Sequence, residues 1–370
     1  MKLTKEVLFT SFILTGATLG AGILALPYVF SQAGYFIGLF WLFALGSIIL
    51  LINLCVGEIT LRTKQIHHLL GYADIYLGEN GRRVIFLSTG FGIYSALLAY
   101  LIGEGQSLST LFFGSVDYSI YFGVGFWLLM TFLVSEKVRN LKKIESFGVT
   151  IIVGVILILL FQSWSQINFS NLSYVNVNNF WVPFGIVLFA LLGFSSIPEM
   201  RIELKGKEKY LRNAIIIGTS IPMVLYILFT FIFVGVLGKN IVEVSTLSFG
   251  TMAILLGIFT MLGSYFVLSF ALKDIFLYDL HKKSLVFTCV SGLPLLIYLL
   301  VSILDVASFI QVLKIGGIIT TGVTGITILL INMAAKKKGN RKPEYSIPIN
   351  WFIVGILALV FVTGMFIELF

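Results

Sequence analysis

Charge is scarce in this sequence. Only 11% of its 370 residues are Asp, Glu, Lys or Arg, against roughly a quarter in soluble proteins. The stretches Val7–Gly57 and Ser146–Pro198 contain none at all. So little polar surface cannot coat a water-soluble globule. Cysteine is rarer still. Cys55 and Cys289 both fall in apolar runs and are too few for a disulfide framework or a thiolate metal site. No apolar run gathers the His, Asp, Glu and Cys that catalysis or metal binding requires, which argues against an enzyme and against a metal cofactor. The N-terminus lacks the small-residue cleavage site of a secretory signal, and Lys2 and Lys5 lead into a run too long for one.

What is present is hydrophobic surface, at 58% of positions. With about 20 residues needed per crossing, eleven spans are predicted: 6–30, 34–61, 83–113, 119–136, 144–163, 180–203, 210–237, 246–274, 284–304, 306–335 and 347–369. The net charge of +8 is distributed by topology. The segments 1–5, 62–83, 137–143, 201–212, 273–283 and 336–342 hold 23 of the 25 Lys and Arg, leaving only Lys239 and Lys314. This is the positive-inside pattern. It places the N-terminus in the cytoplasm and, with eleven spans, the C-terminus outside, in a multi-pass protein of the cell membrane. It also argues for a lipid bilayer as the partner and against nucleic acid.

Spans 1–5 (residues 1–163) and 6–10 (180–335) are of similar length. Five spans per half force opposite orientations, with the uncharged stretch 164–179 as connector and 336–370 as a basic loop plus span 11. The expected fold is therefore all-α, integral to the membrane, a five-plus-five inverted repeat with helices 1 and 6 discontinuous and an eleventh helix outside the repeat, read as a packing or oligomerisation element. The loop 62–83 is expected to carry a short interfacial helix around Gln65–Tyr76. Glu58 and Arg62 are spaced to pair.

Spans 1 and 6 are each interrupted by small residues, at Gly16–Gly22 and Gly193–Pro198. Freed backbone groups persist in a membrane only inside protein or around a polar cavity, and a matched pair of broken helices points to a transporter's binding site. Glu6–Thr15 accounts for about 15 Å of helix, which puts the first break near the midplane. The free N–H groups of Gly20, Ala21 and Gly22 suit a carboxylate. The carbonyls of Leu14, Thr15 and Gly16 suit an ammonium group or a cation. Gly16 and Gly20 equally make a small-xxx-small packing face. In span 6, Pro198 restarts the helix where its missing N–H does no harm. Glu199 then either compensates the dipole or titrates below the site.

Glu104 in span 3 and Lys314 in span 10 lie at similar depth, about 12–14 Å from the outer end by helical rise. Two readings stand: they pair, as part of an extracellular gate or as a proton-responsive couple, or Lys314 reaches outward while Glu104 meets water in a vestibule. Thr260 and Ser264 share one face of span 8 and either ligate a cation or bond to carbonyls four residues back. Tyr94 and Tyr100 lie near the midplane of span 3 and either cap a substrate or bond neighbouring helices together.

The run Thr15-Gly16-Ala17-Thr18-Leu19-Gly20-Ala21-Gly22-Ile23-Leu24-Ala25-Leu26-Pro27-Tyr28, followed by Gly34, resembles the first span of the amino acid/auxin permease family, most of all its prokaryotic aromatic-amino-acid-type permeases. Gly193-Phe194-Ser195-Ser196-Ile197-Pro198-Glu199 is similar to the sixth-span motif of the same group. The resemblance covers spans 1–10. It implies the fold of the amino acid–polyamine–organocation superfamily and secondary transport of an amino acid by alternating access, with spans 1, 2, 6 and 7 rocking against 3, 4, 8 and 9. Backbone at the two breaks, with Thr15, Gly16, Thr18, Gly20, Ala21, Gly22, Gly193, Phe194, Ser195 and Ser196, would hold the substrate; Phe194 would shield its side chain. Sodium-coupled animal members of that family carry Asn where this chain has Gly16. The resemblance therefore implies H+ as the coupling ion rather than Na+. Carriage of another small organic cation or metabolite is the alternative, and a channel the less fitting one.

Overall fold

The computed structural model describes residues 5–135, 141–279 and 282–369. Of the basic stretches counted above, 1–4, 137–140 and 280–281 lie outside them. No strand occurs among the described residues. In chain order the helices are α1 (Lys5–Thr18), α2 (Ala21–Ala33), α3 (Tyr35–Arg62), α4 (Leu69–Phe113), α5 (Ser119–Ser135), α6 (Leu141–Ser163), α7 (Phe169–Ser173), α8 (Pro183–Ala190), α9 (Ile197–Glu203), α10 (Leu211–Leu237), α11 (Thr251–Asp274), α12 (Leu293–Leu304), α13 (Phe309–Lys338) and α14 (Trp351–Leu369). Nine helical segments among the described residues are long and apolar enough to cross a membrane. α1 and α2 make a tenth, bent by 64°, and α5 is a shorter apolar helix. All eleven apolar segments fall where the hydrophobic runs predict. We call the side carrying the start of α1 the near face and the opposite side the far face.

Punctuation sets the segment ends. Gly34 joins α2 to α3 at φ 107° with the Tyr174 backbone pressed against it, a conformation and a closeness that a side chain would not allow. Gly78, at φ 76°, breaks α4, so residues 69–77 lie off the axis of the long span that follows. This is the interfacial helix expected near Gln65–Tyr76, shifted a turn later. α13 begins with a capping box between Ser308 and Gln311.

The near face is tied by residues 339–350. The Asn340 and Arg341 N–H groups donate to the Arg62 carbonyl. Arg341 donates to the Leu61 carbonyl and pairs with Glu344 at 2.6 Å. Glu58 anchors this strap. It accepts from Arg62, Asn332, the Ser346 hydroxyl and the Ile347 N–H, so the predicted Glu58–Arg62 pair is one arm of a larger network. Burial works to raise the Glu344 carboxyl, but hydrogen bonds from Arg341 outweigh it and hold the group below the usual carboxylate range. Arg201, at the near end of α9, donates to the carbonyls of Thr60 and Thr63, fixing that half-helix to α3.

Span 11 is no appendage. α14 packs on α13 and α8, Gly364 lies against the Phe184 ring, and Glu368 Oε2 meets Lys314 Nζ at 2.7 Å. The Lys314 stem runs over Gly185 of α8. The Glu104–Lys314 pair considered from depth alone is thus not formed. Equal depth did not mean adjacent faces, and the cation is satisfied by a carboxylate from the helix that had been set outside the repeat.

Candidate functional site

The first break is shorter than its glycines suggest. α1 continues through Thr18, whose hydroxyl donates back to the Leu14 carbonyl at 2.7 Å, and α2 starts at Ala21, leaving Leu19 and Gly20 between them. Gly16, Ala17 and Thr18 therefore stay helical. The carbonyl set shifts accordingly. Leu14 O is used by Thr18, and Thr15 O accepts the Leu19 N–H at 3.0 Å. The carbonyls at the gap itself are those of Thr18 and Leu19. Tyr226 lies 2.9 Å from the first and Ser264 lies 3.2 Å from the second.

The second break lies where the sequence places it. α8 ends at Ala190, Phe194–Ser196 forms a 3-10 turn, and α9 carries Pro198 in its first turn. The segment Pro183–Glu203 nonetheless runs as one crossing, without the sharp bend of span 1. Ser196 donates to the Gly193 carbonyl at 2.8 Å, stabilising the turn from within.

The two breaks meet each other. A Cβ on Gly193 would stand 2.5 Å from Thr18 Oγ1, and one on Gly22 would overlap the Ala190 backbone. Glycine is needed at both positions for closeness; the Gly193 backbone, at φ −167°, is ordinary extended chain. Between the breaks stands Tyr226 of α10, fully buried, with its hydroxyl 2.9 Å from Thr18 O and 2.7 Å from Ala190 O. One side chain thus touches the last carbonyl of α1 and the last carbonyl of α8. No local signal marks it, because its partners lie 208 and 36 residues away.

The other candidates divide. Tyr100 reaches the break: its hydroxyl would be 2.6 Å from a Cβ on Gly20, and it sits against Ser264 and the Ala21 N–H. Tyr94 points elsewhere and donates to the Cys289 carbonyl at 2.8 Å. Six residues separate the two tyrosines, which puts them about a third of a turn out of phase. Thr15 donates to the Gly218 carbonyl at 3.3 Å and Thr260 to the Leu256 carbonyl at 2.7 Å, so both are engaged in holding helices. Of the two hydroxyls expected to share a face of α11, only Ser264 reaches span 1. Phe194 is buried, Gly16 and Glu199 are half-buried, and Ala17 and Ser195 are exposed. Glu104 is fully buried, and neither of its oxygens has a hydrogen-bond partner among the described residues. A separate cavity of about 400 Å³ on the near face is lined by Thr63, Lys64, His67, Tyr76, Lys338 and Asn340 among others, and includes no break residue.

Residues 3–259 match the profile of the tryptophan/tyrosine permease family. The chain is 24% identical to Glutamine transporter 2 of Aliivibrio fischeri over 382 aligned positions, covering 95% of this chain and 94% of that protein. It is 25% identical to Tyrosine-specific transport system 1 of Haemophilus influenzae over 236 positions, 62% of this chain and 58% of the relative. Against Tyrosine-specific transport system 2 of the same organism it is 26% identical over 246 positions, 64% and 60% of the two chains.

Proposed function

As a member of the tryptophan/tyrosine permease family this chain is an amino acid permease, and we propose that it carries an α-amino acid with an uncharged side chain by proton-coupled alternating access. The meeting of the two interrupted helices carries this reading. Where α1 and α8 end and α2 and α9 begin, backbone groups of both signs converge within the span, at Thr18, Leu19, Gly20, Ala21, Ala190 and Gly193. Amine and carboxylate are the groups that such a convergence recognises. The side chains at the second break, Phe194, Ser195 and Ser196, carry no charge. The relatives' names specify glutamine and tyrosine, both uncharged side chains.

In this reading the half-helices α1 and α9 open toward the near face, taken as cytoplasmic from the basic loops, while α2 and α8 close the far face. The two halves of the chain, 1–163 and 180–335, act as inverted repeats of the superfamily fold. Proton coupling rests on two observations. Gly16 offers no side-chain ligand, and Thr260 turns its hydroxyl back on its own helix, which removes two ligands from a sodium site between spans 1 and 8. The test is uptake of a panel containing glutamine, tyrosine and tryptophan into proteoliposomes, under an imposed proton gradient and then under a sodium gradient. Saturable uptake of one or more of these amino acids, driven by the proton gradient alone, is expected. A sodium requirement at constant proton gradient overturns the coupling, and non-saturating flux overturns the carrier.

A further inference from the structure

Two carboxylates inside the spans are completely buried, and their surroundings are opposite. Glu58 has donors on both oxygens. Glu104 has none, and the polar group that acts on it is the backbone of Leu262.

Glu104 stands one turn beyond Tyr100 on the same face of α4, toward the far side of the break. Its neighbours in sequence define its enclosure. Gly103 lies against Met261 of α11 and Phe309 of α13, and Gly105 against the Ser119 carbonyl at the start of α5 and Tyr298 of α12. None of these elements brings it a cation. α11 carries Tyr265 here, with Lys273 and Asp274 at its near end. α13 carries Lys314, held by Glu368, and Lys336–Lys338 at its near end. α12 offers Tyr298, α5 the exposed Tyr121, and α2 Tyr28. Before the Ser245–Ser248 turn, Glu243 accepts from the Ile310 N–H.

Further polar side chains without partners lie along the same region. Ser107 is one turn on from Glu104, and Ser245 and Thr246 sit in the far-side turn, with Thr246 against Gly257, one turn from Met261 on α11. A carboxylate shut in here has lost its water with no cation in exchange and little beyond the Leu262 backbone to act on it, whereas the neutral acid carries a far smaller penalty. The far side is the packed side, so closing it is what buries the group.

We propose that Glu104 carries the coupled proton: it takes up a proton as the far side closes over it, and its ionised form favours the far side open. This rests on the proton-coupled reading above. By linkage, raising the pH shifts the equilibrium toward the far-side-open form in the wild type and leaves it unmoved where residue 104 cannot ionise.

The experiment compares full-length wild type with Glu104→Gln and Glu104→Asp in proteoliposomes, using an amino acid that the wild type transports. Glu104→Gln is expected to keep counterflow within about twofold while accumulation driven by a proton gradient falls at least about tenfold; Glu104→Asp keeps both. Undiminished gradient-driven accumulation by Glu104→Gln overturns the proposal. A second measurement decides if the Gln variant loses counterflow as well. In a Cys55→Ser, Cys289→Ser background, Val244→Cys, buried on the far side, is labelled from the far face with a membrane-impermeant thiol reagent between pH 6 and 8. Its rate is expected to rise with pH at least about tenfold more with Glu104 than with Gln at that position. Equal pH profiles overturn the proposal. A wild type that accumulates without regard to the proton gradient sinks the coupling reading instead, and the labelling profile still reports on Glu104.

Discussion

The far-side halves of the interrupted spans and their near-side halves are built from similar residues yet packed differently. In α2 eleven of thirteen residues are buried, and in α8 all eight. In α1 the count is six of fourteen, and in α9 four of seven. The neighbours differ in the same sense. α2 packs on α3, α4, α8, α10 and α11, whereas α1 packs mainly on α10, α6 and α9. Hydrophobicity does not explain the contrast, because both halves of span 1 are apolar. Position around the break does. The far-side halves are wedged between the long helices and braced by α14, while the near-side halves lean on α10 and α3 and leave Ala17, Ser195 and Ile202 uncovered. One continuous helix could not be closed at one end and open at the other; the interruption permits it.

Four changes break this contrast and one measurement sharpens it. The largest effect is expected for Gly22→Val, which drives a side chain into the Ala190 backbone at the tightest far-side crossing. Transport in an uptake assay should be lost, with about 1–3 kcal/mol of destabilisation in detergent melts. Next, Lys314→Met leaves Glu368, whose side chain is 4% exposed, without its cation. About 3 kcal/mol should be lost, and the double variant Lys314→Met, Glu368→Met should recover most of it in the same melt; no recovery would show that the pair does not brace the far side. Third, in a cysteine-free background, Ser195→Cys should react with a thiol reagent from the near face more than about tenfold faster than Leu24→Cys, and substrate should slow it. Equal rates would remove the contrast altogether. Fourth, Tyr226→Phe should cost about 1–2 kcal/mol and lower uptake, read as the product of melt and initial rate, because both half-helix ends lose their donor.

The smallest effect concerns pH. The native carboxyl of Glu344 is held below its unfolded value, so its contribution is fully present above the unfolded pKa and is lost as pH falls through the depressed native one. Melting temperatures of wild type and Glu344→Gln should therefore differ most near neutrality and converge under acid.

Much of this architecture was legible in the residues. Apolar runs mark the spans because lipid demands them, and Pro198 marks the restart of α9 because in a helix's first turn the missing N–H of proline costs no hydrogen bond. The first break was legible in place and overestimated in extent. Glycines permit unwinding but do not compel it, and α1 continues past Gly16 to Thr18, whose hydroxyl donates back to the Leu14 carbonyl. Which tyrosine faces the break was out of reach, since Tyr94 and Tyr100 differ only in helical phase, and phase is fixed by packing. Tyr226 was invisible for a related reason: an isolated tyrosine in an apolar run looks like any other until the helices it joins are brought together. Lys314 misled because its partner, Glu368, lies on α14, far from it in sequence and on the helix expected to stand apart.

Tyr226 carries one more consequence. A phenol has a single hydrogen, and here two backbone oxygens lie within reach of it. At any instant the hydrogen serves one of them, and the other keeps a lone pair available. Rotation about one C–O bond exchanges the two roles without moving a helix. The phenol therefore has two hydrogen-bonding positions, and each leaves the carbonyl at one half-helix end free to accept from another donor.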